Sequence, residues 1–404
     1  MFFFFFFDEN VSPIKSYKDV SRDKPEKNKG EWSELYTLFK LLADQNLYPM
    51  NNSQAEGERL RLPILSIMRY IDQEVGVEYK ILNNSDIILN INNEDQRIIN
   101  KSEFSHWARQ LFDEMSSVVK KDASFAIPSL DDFREKTCCP KVACFNRTIE
   151  ENNKDKSDLY IVIHDTFTGQ TPKQGFSIKS EIGSAPTLVN ASLLTNFYYR
   201  LSHPLNQEQI DFINKMKVKS GTKFVTDVKG RLSKIKEYGS ELHFCGIHPN
   251  SKNENVFLEN LIVVDSCMPQ ILAWLLLDSF STGERRLDKL TERITEANPM
   301  KFPMTVNKKH YEAKVKRLLM DFALGMLPGQ PWDATDLASG VLVVKPSGDI
   351  DCYHVLYKDT LEEYLFHDLK FETASATRHK FATVETDSDG NQYFTLNLQI
   401  RFIK

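Results

Sequence analysis

Residues 157–183, SDLYIVIHDTFTGQTPKQGFSIKSEIG, constrain the fold more than any other stretch of the chain. Two alternating runs, 158–164 and 175–181, flank a loop holding Gly169, Gln170, Thr171 and Pro172, the signature of an antiparallel hairpin. Side chains alternate faces along a strand. Leu159, Ile161 and Ile163 therefore share one face, and Asp158, Tyr160 and His164 the other. On the second run Phe176 and Ile178 oppose Ser177, Lys179 and Glu181. Registers that pair apolar with apolar bring Asp158 up to Lys179 or Glu181. A carboxylate, a lysine, a hydroxyl and a second carboxylate then gather on one polar face. That set suits a divalent cation held against a phosphodiester, with an ammonium group to orient the attacking water. A solvated strand face with a chance ion pair is the plainer alternative. Asp165 is the rival ligand, but its parity places it on the apolar face. It also lies several residues up the hairpin from Lys179, on the order of 20 Å at about 3.3 Å per residue.

Ahead of this hairpin, Lys29-Gly30-x-x-x-Glu34 opens an amphipathic helix running to about Ala43. Glu34 could complete a metal shell from that helix, or it could simply favour the positive N-terminal end with Glu31. Residues 8–28 are polar and read as a loose leader. Residues 63–75 read as a second helix with proline in its first turn. Residues 78–92 read as a hairpin around Asn83-Asn84-Ser85-Asp86, and 104–119 and 129–135 as helices. Residues 187–199 have helical spacing, and 206–235, 255–280 and 311–324 are mainly helical. Residues 340–345, 350–356 and 381–403 read as strands, the last group turned at Asp387-Ser388-Asp389-Gly390.

The overall expectation is a mixed α/β chain in four regions. These are an irregular tail at 1–28, a core at 29–202, a mainly helical region at 203–330 and a β-rich region at 331–404. A hydrophobic content of 41% and a charged content of 26% describe an ordinary soluble chain. Its net charge of −5 argues mildly against a nucleic-acid partner, although a local basic groove outweighs the sum. The six cysteines lack regular spacing and read as reduced thiols of a cytoplasmic protein. The opening MFFFFFF has no basic leader or small-residue cleavage site, and is too short to span a bilayer. His243-x-Cys245-x-x-His248 has metal-binding residue types without a fourth ligand at suitable spacing.

A Lys-Gly-x-x-x-Glu helix, a strand opening on aspartate and a strand carrying x-Ile-Lys together resemble the PD-(D/E)xK nuclease core, a mixed sheet flanked by helices. More narrowly, NKGEWSELYTLFKLLAD at 28–44, GFSIKSEIG at 175–183, TLVNASLLTNF at 187–197 and LNLQIRF at 396–402 resemble HpaII-type type II restriction endonucleases. The resemblance covers most of the chain from residue 28. It implies Mg²⁺-dependent cleavage of double-stranded DNA at a short palindrome, CCGG in that family, and a cognate methyltransferase protecting the host genome. A palindromic target also implies a homodimer. Asp158 and Glu34 would bind Mg²⁺, with Glu181 the other source of a second acid, and Lys179 would assist the water. The sequence departs from the general motif at Ser177, where an acid normally stands.

For reading DNA, Ser375-Ala376-Thr377-Arg378-His379-Lys380 is a compact donor-rich segment, with Asn190, Ser192, Thr195 and Asn196 as further candidates. Two other readings stay open: a structure-selective repair nuclease or junction resolvase, which shares the KGxxxE helix, and a nuclease-derived DNA-binding module that has lost catalysis.

Overall fold

A computed structural model describes residues 20–404 apart from 53–59, 83–84, 92–94, 121, 151–152 and 167. The phenylalanine run and the polar residues up to 19 lie outside the described residues. The chain is a mixed α/β protein with a large sheet flanked by helices. It divides into two compact units: Met1–Leu47, Arg61–Thr148 and Ser157–Ile178 form the first, and Tyr48–Leu60, Ile149–Lys156 and Lys179–Lys404 the second.

In the first unit, strands β1 (Leu62–Tyr70), β2 (Gly76–Ile81), β3 (Asp86–Ile91) and β4 (Asp95–Asn100) form a meander. Strand β5 (Leu159–Ile163) pairs with β1, and β6 (Lys173–Ser180), which belongs to this unit up to Ile178, with β5, every pair antiparallel. Helices α1 (Lys29–Asp44) and α2 (Lys101–Ser117) pack together through Phe39 on Phe104 and Tyr36 on Phe112. Helix α1 starts where the motif places it. Asn28 Oδ1 accepts from Glu31 N at 3.1 Å, while Glu31 Oε2 accepts from Asn28 N at 2.9 Å, a closed capping box. Residues 20–28 are held in place too: the Asp23 carboxylate bonds Arg134 and accepts from Val142 N.

The expected helix at 63–75 is instead the strand β1, lying between β5 and β2. Its run LPILSIMRY is apolar on both sides, which periodicity cannot separate from a buried helix. A register shift between Val162 and Ile163 adds a bulge opposite β5. Leu65 is turned outward, and the buried set moves from Leu62 and Ile64 to Ile67 and Arg69. The alternation that would identify a strand is thereby interrupted.

The second unit holds an extensive apolar cluster, with Phe197, Tyr199, Phe257, Phe322 and Phe394 all buried. Residues 187–199 are not a helix. They form β7 (Thr187–Val189), one 3₁₀ turn (Leu193–Thr195) and β8 (Asn196–Leu201). Distant partners decide this: β8 pairs with Gln392–Asn397 and with Leu242–Ile247 on its two sides. Asn397 Nδ2 also donates to Ser192 O and Asn196 Oδ1, both at 2.7 Å. The stretch expected to be helical over 206–235 is broken by a two-stranded ribbon, β9 (Lys217–Ser220) with β10 (Lys223–Thr226). Helices at Val256–Val264, Met268–Thr282 and His310–Leu324 lie where expected. Among the described residues, no single helix is long and apolar enough to cross a membrane.

Candidate active site

Strand β5 is preceded by Asp158, whose N–H donates to Phe176 O at 2.8 Å. The pairs Leu159–Phe176 and Tyr160–Gly175 set the register, so continuing the ladder places Asp158 opposite Ser177. The sequence pattern pointed to Lys179 or Glu181 in that position. The Asp158 carboxylate is fixed on both oxygens: Oδ2 accepts from Ile178 N at 2.6 Å and Oδ1 from Asn146 Nδ2 at 3.2 Å. The serine facing it is 2% exposed, and among the described residues its buried Oγ has no hydrogen-bond partner. An orphaned hydroxyl at this depth is uncommon and calls for an explanation.

Glu34, on the second turn of α1, accepts from Cys144 N at 2.6 Å through Oε2. The segment 141–146 thus binds both acids, Glu34 through a backbone N–H and Asp158 through the Asn146 amide. Fully buried Arg69 secures that segment by donating to Lys141 O at 3.0 Å, Val142 O at 3.3 Å and Ala143 O at 2.9 Å. Burial works against the Arg69 charge, but Cys144, Cys139, Tyr79 and Glu34 outweigh it and raise its pKa. Burial pushes the Cys144 thiol well up; Arg69 opposes this while Glu34 and Asp158 add to it, so both acids lie within electrostatic reach of one sulfur. Arg69, Cys144 and Asn146 were not singled out from sequence. Arg69 sat in the run read as a helix, and only tertiary folding brings 141–146 between the two acids.

The other candidates are placed as follows. Strand β6 runs on through Lys179, whose parity matches Ser177, and no ion pair engages its ammonium among the described residues. Glu181 lies just beyond the strand end at Ser180, and its carboxylate is taken by Lys345 Nζ at 2.6 Å. Asp165 organises the hairpin loop, accepting from Thr168 N at 3.3 Å and Thr168 Oγ1 at 2.7 Å. Asn190 is exposed, whereas Asn196 is buried, its amide donating to His379 O at 2.9 Å. Ser375 caps the short helix Ala376–His379 by accepting from Arg378 N at 3.4 Å; Thr377, Arg378 and Lys380 are exposed and His379 half-buried. His248 Nδ1 pairs with the Tyr198 hydroxyl at 2.7 Å. Among the described residues no three His, Cys, Asp or Glu side chains converge into a metal cage.

The sequence profile of the HpaII restriction endonuclease family matches residues 28–402. The chain belongs to this family. Type II restriction enzyme HpaII of Haemophilus parainfluenzae is 37% identical over 379 residues, which cover 93% of this chain and 98% of that enzyme. No solved structure matches. The resemblance read from the helix, hairpin and C-terminal motifs is therefore borne out over nearly the whole chain. The protein is a type II restriction endonuclease of the HpaII type, a site-specific deoxyribonuclease whose family implies a double-stranded DNA substrate.

Proposed function

We propose that this endonuclease hydrolyses DNA phosphodiesters with Mg²⁺ at a short palindrome, CCGG by family resemblance, through a PD-(D/E)xK-type site built on Asp158, Glu34 and Lys179. The observation that carries this reading is the binding of both acids by one short segment, 141–146, beside the unpartnered hydroxyl of Ser177. Mg²⁺ keeps several waters and takes one or two carboxylates together with substrate phosphate oxygens, so two acids without a full cage suit it. Each Asp158 carboxylate oxygen has a second lone pair beyond the hydrogen bond recorded above. Asp158 and Glu34 would hold the ion, which would supply Lewis-acid polarisation of the phosphate and of an attacking water.

The chain's own groups divide the remaining work. Asp158 is held rigid by Ile178 N and Asn146, which fixes the direction of its free lone pairs. Arg69 sets a positive charge among Glu34, Cys144 and Cys139, beside the segment that binds both acids. Lys179 orients the attacking water and offsets charge developing on the phosphate. The Ser177 Oγ is free to donate a hydrogen bond where related nucleases carry an acid. Hydrolysis leaves 5′-phosphate ends, and a methyltransferase of the same specificity protects the host.

Plasmid digestion with and without Mg²⁺, followed by end sequencing, tests this. Discrete, methylation-sensitive fragments ending at one palindrome are expected. Asp158→Ala and Lys179→Ala each lower single-turnover cleavage by about 10²–10³-fold or more, while Asp165→Ala leaves it near wild type. Cleavage lost in Asp165→Ala but kept in Asp158→Ala would overturn the assignment, and cutting confined to branched DNA would reject restriction.

A further inference from the structure

Residues 215–236 carry eight lysines and arginines against one acid, Asp227, in a chain whose net charge is −5. Their centre is the ribbon β9–β10, paired Lys217–Thr226, Val218–Val225, Lys219–Phe224 and Ser220–Lys223. All of β9 and the first three residues of β10 are exposed. An isolated two-stranded hairpin is only marginally stable, and this one leaves Phe224 70%, Val218 46% and Val225 43% exposed. Among the described residues, no carboxylate pairs with Lys217, Lys219 or Lys223. Unpaired ammonium groups beside exposed apolar side chains do little for folding.

The base of the ribbon is, by contrast, tightly secured. Buried Arg231 donates to Met216 O through Nε at 3.3 Å and Nη2 at 3.0 Å, to Ala382 O at 2.7 Å and to Asn214 O. Asp227 caps the following helix by accepting from Gly230 N at 2.9 Å, in a contact so close that any Cβ at Gly230 would strike its carboxylate. The tip turns at Gly221, whose φ of +59° suits glycine. Lys217 and Lys219 also line one side of an open cleft of about 720 Å³, with Lys229, Arg285, Ser375 and Thr377 among its other walls.

We infer that the ribbon Lys217–Thr226 is a DNA-backbone grip, with Lys217, Lys219 and Lys223 neutralising phosphates and Phe224 resting against sugar or base edges. A two-stranded ribbon is narrow enough to enter the major groove. A rigid base with an exposed, uniformly basic tip is what seating a polyanion requires. The cleft places Ser375 and Thr377 on the same surface, which gives the donor-rich segment read from sequence a common ligand with the ribbon. The inference rests on the proposed DNA-cleaving function and adds a binding element that its catalytic residues do not include. Its contribution is sequence-independent affinity.

The test uses the full chain in EDTA with two duplexes of equal length, one containing CCGG and one lacking it. Each phosphate contact adds about 0.9 to the slope of log K against log salt. Replacing all three lysines by serine is expected to lower that slope by about 2–3 on both duplexes and to weaken binding on the order of a hundredfold at 0.1 M salt. The same positions changed to arginine keep the wild-type slope. Unchanged far-UV circular dichroism and melting temperature establish that the serine variant is folded. A wild-type slope in that variant, or a matching loss in the arginine variant, overturns the grip. Wild-type protein that neither binds nor cleaves duplex DNA would instead overturn the function on which the inference rests.

Discussion

Asp158 and Ser177 face each other across a hairpin, and their states could hardly differ more. The carboxylate is held on both oxygens, while the hydroxyl opposite is buried without a partner. A buried hydroxyl forgoing its bond costs about 1–3 kcal/mol, a cost that makes sense where substrate or water completes the network. His354 is a second residue whose environment has a measurable consequence. It is 1% exposed, and burial lowers its pKa to about 4, with Nδ1 accepting from Leu356 N at 3.0 Å. Its folded pKa lies below the unfolded value near 6.5, so the unfolded chain binds the extra proton first. Its neutral form costs nothing above about pH 6.5, and stability drains as pH falls from there towards about 4. Relative to His354→Asn, wild type should lose on the order of 3 kcal/mol between pH 7 and 4 by denaturant melts. A pH-independent difference between the two proteins would refute the neutral buried imidazole.

At the scale of elements, what the sequence showed depended on whether the deciding contacts were local. The helix at Lys29 announces itself because Asn28 and Glu31 cap it from within four residues. The β5–β6 hairpin does so because its alternation and turn are contiguous. Strand β1 was hidden by a bulge and by apolar residues on both faces, and β8 by partners nearly two hundred residues away. The β9–β10 ribbon carried a signal that was passed over: two short runs with β-branched and aromatic residues, KVKS and KFVT, flank the turn residues Gly221-Thr222. Its mounting gives a stability prediction. Arg231→Ala strips Met216 O and Ala382 O of a donor and opens a gap under the ribbon. A loss of about 2–3 kcal/mol is expected in chemical denaturation, and a change below about 0.5 kcal/mol would show that the ribbon base is held by other contacts.

For the whole molecule, the charge distribution matters more than the total. A net charge of −5 coexists with a 22-residue stretch, 215–236, whose charged residues are all basic but one. Such an arrangement keeps the chain from binding every polyanion strongly while concentrating attraction on one element. The proposed palindromic target, cut on both strands, calls for two copies of the site related by a two-fold axis. Light scattering on a mixture with a short CCGG duplex should therefore give two chains per duplex; a single chain cutting both strands in succession would give one, and would refute the dimer.

The sequence by itself determined the family, the helix bearing Glu34 and the hairpin bearing Asp158 and Lys179. Each depends on spacing within a few residues, where period and turn chemistry leave little choice. Only the tertiary structure decided that Asp158 faces Ser177, that Glu181 is bound to Lys345, and that 141–146 ties the two acids together over a buried arginine. Register, ion pairing and the path of that segment are set by which distant groups fill the same space, and local pattern carries no record of that.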